Sequence, residues 1–323
     1  MTVAKIAIYG FDRLGRAVFQ IASRRKDMKV VAIVSRDDAR KNAELLSKDA
    51  IYDALSREID HDGDRLVVDG QQVPVLTENV TTQWRELGVD IVVDCYARKA
   101  SRAAAKSHLE AGAKKVLFSA QGDLVEQICL GVNEEMLPEA GSVISAGGAT
   151  ISAVAPVREI VMSHAKIESM LVTTVDGIVD CFPKTDVCCI SPETACSDAD
   201  SDCRCHRSSQ NRALPAPALT ASMSEFVFTT SKSISQEELN DWIRLAANEP
   251  YYQGIVVTRE EAVTSDQAVG ESFSAVVDLS QTDVQGGKLA SVKLWYDREW
   301  GYANRIVEIT ADFAKVSHTK TEI

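Results

Sequence analysis

Nothing in this sequence is long and apolar enough to span a bilayer, since no run approaches the roughly 18 residues required. Nor does the start show the basic, apolar and small-residue order of a secretory signal; Lys5-Ile6-Ala7-Ile8-Tyr9 leads straight into strand-like sequence. A cytoplasmic protein without membrane contact is the expectation. Positive charge is scarce too. The 35 Lys and Arg against 47 Asp and Glu leave a net charge of −12, which argues against the basic face that a nucleic-acid partner demands. Histidine is sparse, and His61, His108, His164 and His318 stand alone, as surface or hydrogen-bonded residues do. No internal repeat is visible. What is present is an ordinary globular composition, 45% hydrophobic, in a chain of 323 residues, enough for two domains with a large core.

One segment departs from this plainness. Six of the eight cysteines, Cys181, Cys188, Cys189, Cys196, Cys203 and Cys205, fall close together, with His206 directly after the last. Thiolates and imidazole are ligands for zinc, copper or iron–sulfur clusters, and no standard zinc-finger or ferredoxin spacing matches. A set of disulfides is a second reading and unliganded thiols a third; a reducing compartment favours a metal ion or iron–sulfur cluster over disulfides. Cys95 and Cys129 lie in apolar runs and read as inert core thiols.

Periodicity supplies the architecture. Ala4–Tyr9 predicts a strand ending at Gly10, and residues 13–24 a helix with Leu14, Val18 and Ile21 on one face. Val30–Val34, Asp90–Cys95 and Lys115–Ser119 predict further buried strands, and Ala100–Ala111 a helix stopped by Gly112. Strand and helix in alternation imply an α/β fold, a Rossmann-type doubly wound parallel sheet. Ile151–Ser163 predicts a helix and Leu171–Val175 a strand, after which Phe182–Pro217 shows no periodicity. Glu225–Thr230, Phe273–Leu279 and Ala290–Trp295 then read as strands, with helices at Gln236–Ala247 and Asn304–Ala314. This half predicts an α+β domain with a mostly antiparallel sheet. The expected division is a dinucleotide-binding domain over 1–148, completed by a C-terminal helix at 304–323, and a catalytic-type or oligomerisation domain over 149–303 carrying the loop 181–206.

Gly10-Phe11-Asp12-Arg13-Leu14-Gly15 follows a strand and opens a helix, where a glycine-rich fingerprint seats a dinucleotide pyrophosphate. Its middle glycine is Asp12, whose bulk and charge weaken such a site; a plain turn with a helix-capping Asp is the alternative. At the end of the second strand, Ser35 and Arg36 stand where an acidic residue would hold a ribose. They suit a 2′-phosphate better than a bare diol, or else form a solvated loop.

The opening Lys5–Arg16, together with Leu109–Val116, Leu130-Gly131-Val132-Asn133 and the run from Trp295 through Tyr302 to Arg305, resembles phosphorylating glyceraldehyde-3-phosphate dehydrogenase. The resemblance covers nearly the whole chain except the cysteine loop. It implies an NAD(P)-binding oxidoreductase fold and a homotetramer. It puts Asn304 beside the nicotinamide, unless that residue is simply a helix N-cap, and Thr150 near the substrate. It also implies that the catalytic cysteine and the base histidine have become Ala149 and Asp176, and that the phosphate-binding arginine is replaced by Ala213, or retained as Arg212 after a slip of one residue. Alanine cannot form a thiohemiacetal. The cysteine loop would lie at the tetramer core. A protein without the phosphorylating activity, with that loop as metal or cluster site or redox switch, is the leading expectation. An aldehyde oxidoreductase using a relocated cysteine and a partner-binding protein with a disulfide-pinned loop are the competitors.

Overall fold

The computed structural model describes residues 3–48, 57–77, 84–96, 100–122, 125–177, 209–216 and 221–316. The chain divides into two compact units. One holds the described residues up to Ile128, Asn133–Gly148 and those from Ala303 onward; the other holds Cys129–Val132 and Ala149–Tyr302.

The first unit is built on β1 (Ala4–Tyr9), α1 (Arg13–Ala22), β2 (Met28–Ser35), α2 (Ala39–Ser47), β3 (Ile59–Asp62), β4 (Arg65–Val68) and β5 (Gln71–Thr77). It continues with α3 (Trp84–Leu87), β6 (Ile91–Asp94), α4 (Arg102–Glu110), β7 (Lys115–Phe118), β8 (Glu126–Gln127) and β9 (Val143–Ser145). These strands form one sheet in the order β3-β4-β5-β2-β1-β6-β7-β9-β8. All its pairings are parallel except the two around β4. The run of Ile6, Ala7 and Ile8, fully buried, has the two-sided burial that parallel strands covered by helices require. The chain leaves β1 to one side for β2 and later returns to its other side with β6, so a topological switch point lies between the ends of β1 and β6.

Sequence periodicity missed the meander β3–β5. Its strands are short, and the clearest signal was in the turns. Asp69 and Gly70 both take positive φ, 50° and 76°, giving the mirror-image turn that closes two-residue hairpins.

The second unit comprises α5 (Ala149–His164), β10 (Ile167–Gly177), β11 (Ser209–Ala216), β12 (Ser222–Thr230), α6 (Gln236–Ala247), β13 (Val256–Arg259), α7 (Ser265–Ala268), β14 (Ala275–Gln285), β15 (Leu289–Tyr296) and the start of α8 (Trp300–Lys315). The strand order is β11-β10-β12-β15-β14-β13, with antiparallel pairing except at the two edges. Val157, Ile160 and Val161 of α5 and Leu239 and Ile243 of α6 share one core with Phe226, Phe228, Val277 and Leu294 of the sheet. Strand β11 corrects the expectation that Phe182–Pro217 is aperiodic throughout. It carries Pro215, which lacks an N–H for a ladder, and it lies on the sheet edge, where proline is tolerated.

The start of α8 is a second correction. Asp297 accepts the N–H groups of Glu299 and Trp300 at 2.9 and 2.8 Å, so the helix begins at Trp300 and Asn304 lies inside it rather than capping it. Farther along, Lys115 Nζ donates to the carbonyls of Phe313 and, at 2.6 Å, Val316, tying the end of α8 to β7. Together, the doubly wound parallel sheet and the mostly antiparallel α+β sheet are the fold class the sequence predicts.

Candidate functional site

In the first unit, the fingerprint residues are brought together at the end of β1. Gly10 has φ 108°, and a Cβ on it would meet the Tyr96 ring and backbone at 2.8 Å. A Cβ on Gly15 would lie 1.9 Å from the Gly10 carbonyl oxygen. Both glycines are therefore demanded by the β1–α1 turn itself. Phe11 is buried with its ring 5.6 Å from that of Phe19. Asp12 is the N-cap of α1: its carboxylate accepts the Gly15 N–H at 3.4 Å, and its carbonyl accepts that of Arg16 at 2.9 Å. Arg13 and Leu14, both half-buried, form the first turn.

Ser35 and Arg36 end β2 as expected but face different ways. Ser35 is buried; its hydroxyl donates to Asn42 Oδ1 at 3.2 Å and accepts the Asp37 N–H at 3.1 Å. Arg36 is exposed, with its guanidinium 4.7 Å from the centroid of the Tyr96 ring. Tyr96 was absent from the sequence reading; no motif marks it, and only the fold brings it over Gly10.

A dinucleotide needs the amide end of α1 for its pyrophosphate and polar groups at the β2 end for its ribose. Here the Asp12 carboxylate holds the first, Ser35 is spent on α2, and Tyr96 covers Gly10. As arranged, these residues fit a dinucleotide poorly.

Behind Tyr96 lies a buried polar group that sequence reasoning also missed. Trp84 Nε1 donates to His108 Nδ1 at 3.2 Å, and His108 Nε2 faces Asp94 Oδ2 at 3.4 Å. The indole donor makes Nδ1 the acceptor, which leaves the ring proton on Nε2 toward Asp94. His108 is thus a satisfied core histidine. Cys95 is buried beside this group, and burial, with Asp12 and Asp94 nearby, pushes its thiol well above the ordinary range, so it is inert as a nucleophile. Cys129 is also buried.

In the second unit, Ala149 and Thr150 open α5. Thr150 Oγ1 lies 2.9 Å from the Tyr296 hydroxyl, which lies 3.2 Å from Ser224 Oγ, which in turn lies 2.8 Å from Thr174 Oγ1. This row of hydroxyls joins the start of α5 to β10 across two other strands. All but Thr150 are buried, and each bond replaces the water that burial removed. Asp176 follows Thr174 by two residues and pairs in register with Pro215 of β11, while Arg212 and Ala213 pair with Thr173 and Thr174.

Cys181, Cys188, Cys189, Cys196, Cys203, Cys205 and His206 lie outside the described residues. Among the described residues no group of three or more His, Cys, Asp or Glu could hold a metal ion, and no helix is long and apolar enough to cross a membrane.

The parallel sheet with its fingerprint turn and the α+β unit with α5 and β10 give a two-domain architecture with a Rossmann-type first unit. Comparison with known proteins makes this specific. Residues 4–102 match the NAD binding domain of glyceraldehyde 3-phosphate dehydrogenase, and residues 208–298 match its C-terminal domain. The glyceraldehyde-3-phosphate dehydrogenase of Streptomyces coelicolor is 32% identical over 96% of this chain and 98% of its own. That of Geobacillus stearothermophilus is 33% identical over the same shares, and that of Thermotoga maritima 31% over 95% and 98%. The chain belongs to the glyceraldehyde-3-phosphate dehydrogenase family.

Proposed function

We propose that this chain is a family member without phosphorylating dehydrogenase activity, in which a retained fold supports a different, thiol-centred role. One observation carries the reading: Ala149 opens α5, where the family resemblance puts the nucleophilic cysteine. The side chains bonded in a row from that helix start, Thr150, Tyr296, Ser224 and Thr174, offer hydroxyls, and the thiol of Cys129, packed with Ile151 and Ala155, is buried. By the same resemblance, Asp176 stands at the family's histidine position. The reading assigns residues 1–148 to a nucleotide domain that binds NAD(P) weakly, with Gly10, Gly15 and Asn304 as its retained contacts. It assigns 149–303 to assembly of a cytoplasmic homotetramer. The loop cysteines then hold a metal ion or iron–sulfur cluster, or switch between thiol and disulfide. The decisive assay is turnover of glyceraldehyde 3-phosphate with NAD and phosphate; family-like rates would sink the proposal.

The loop has its own test. Ellman titration of reduced, metal-free protein should give six thiols before denaturation, at whatever rate the assembly allows, with Cys95 and Cys129 reacting only after it, because both are buried. Protein purified anaerobically should show stoichiometric iron, zinc or copper by elemental analysis and correspondingly fewer thiols before denaturation. With no metal and all six thiols free, the metal reading is wrong.

A further inference from the structure

In an open parallel sheet, ligands bind beyond the carboxyl ends of the strands at the switch point. That place, between the ends of β1 and β6, is occupied here by a side chain of the protein itself. Tyr96 comes two residues after β6, and its own N–H is fixed by Asp94 Oδ1 at 3.0 Å. Its ring root lies so near Gly10 that a Cβ there would touch it at 2.8 Å. Its hydroxyl oxygen reaches past β1 and accepts the Arg36 N–H at 3.1 Å, just beyond the end of β2. The Arg36 guanidinium lies over the ring at 4.7 Å, and Tyr9 meets it edge-on at 5.8 Å. The phenol thus lies across the ends of three adjacent strands in the order β6, β1, β2.

We propose that Tyr96 is a strap that fills the adenosine side of the crevice and sets which nucleotide this protein accepts. The ribose of a dinucleotide sits between the fingerprint turn and the end of the second strand, which is the gap the ring bridges. Binding an adenosine moiety therefore requires the ring to leave Gly10, the Arg36 N–H to lose its acceptor and the guanidinium to lose its aromatic face. A mononucleotide without adenosine makes no such demand. The inference rests on the reading of the first unit as a nucleotide domain.

The test is equilibrium binding to the full chain of NADH, ADP-ribose and reduced nicotinamide mononucleotide, for the unaltered protein, Tyr96→Ala and Tyr96→Phe. Tyr96→Ala should tighten NADH and ADP-ribose by about tenfold or more, a gain of about 1.4 kcal/mol, and leave the mononucleotide within about twofold. Unchanged or weaker ADP-ribose binding would overturn the strap, as would an equal gain for the mononucleotide, which would indicate general loosening. Tyr96→Phe keeps the ring and removes only the acceptor of the Arg36 N–H. Should the alanine variant not fold, a gain for ADP-ribose in the phenylalanine variant supports the strap and its absence refutes it. Failure of the underlying reading looks different: no variant, including Asp12→Gly combined with Tyr96→Ala, would then bind NADH at all.

Discussion

Given glyceraldehyde 3-phosphate, NAD and phosphate, the purified protein is expected to form NADH about 10,000-fold or more slowly than a relative with an intact nucleophile and base, the scale of loss when such groups are removed. The argument is one of bonds. Phosphorylating oxidation of an aldehyde proceeds through a covalent adduct whose hydride can leave, and the methyl group of Ala149 forms none. Thr150 is next to it, but its hydroxyl is engaged with Tyr296 at 2.9 Å, in a row that continues through Ser224 to Thr174. Restoring the thiol alone should do little. In Ala149→Cys, the family resemblance would put a carboxylate at 176 beside the thiol, and a neighbouring negative charge holds a thiol protonated. Alkylation by iodoacetamide at pH 7 should therefore be slow in Ala149→Cys and at least about tenfold faster in the pair Ala149→Cys, Asp176→His, where an imidazole can stabilise the thiolate. This measurement needs no nucleotide, so it is independent of Tyr96. Equal rates in the two variants would show that residue 176 does not govern the site.

The fold was legible where burial writes a period into the sequence. Ile6–Ile8, Ile91–Val93 and Val116–Phe118 are fully buried strands and read as apolar runs. The meander β3–β5 and edge strand β11 were not legible: the strands of the meander are short, with only Leu66, Val68, Val73 and Val75 buried between Asp-Gly and other turns, and β11 pairs with a single neighbour. Within the candidate site, Gly10, Asp12 and Gly15 were visible because local spacing fixes them. Tyr96 and the hydroxyl row were not, since Tyr96 acts on residues 60 and more positions away and Thr150 meets Tyr296 across 146. The segment Trp295–Arg305 looked like a cofactor signature, and its geometry shows a packing role as well. Asp297 starts α8, and a Cβ on Gly301 would lie 2.6 Å from the Phe273 carbonyl oxygen. A family motif of this kind therefore has a structural reason of its own, apart from any chemistry.

The same logic applies to the fingerprint glycines and yields the largest stability effect expected in this chain. Gly15→Ala should cost more than about 4 kcal/mol, a range reserved for a named steric or cavity defect and a large share of the roughly 5–15 kcal/mol a domain possesses. The added methyl would lie 1.9 Å from a backbone oxygen, not from a side chain that can rotate away. That oxygen belongs to Gly10, whose φ is 108° and whose own added Cβ would meet Tyr96 at 2.8 Å. Relief requires α1 to lift from β1, exposing Val18, Phe19 and Ala22, which are now buried. Gly63→Ala is the control: its φ is 58° and nothing lies within 4 Å of an added Cβ, so only the left-handed backbone is strained, at about 1–2 kcal/mol. Urea unfolding followed by Trp84 fluorescence should separate the two variants by a wide margin in midpoint. If Gly15→Ala unfolds within about 1 kcal/mol of the unaltered protein, the glycine is not a packing requirement, and its retention would have to be credited to a ligand at the helix start instead. A large loss means that a glycine-rich fingerprint can outlive the nucleotide it once served, because the turn from β1 into α1 cannot be built without it.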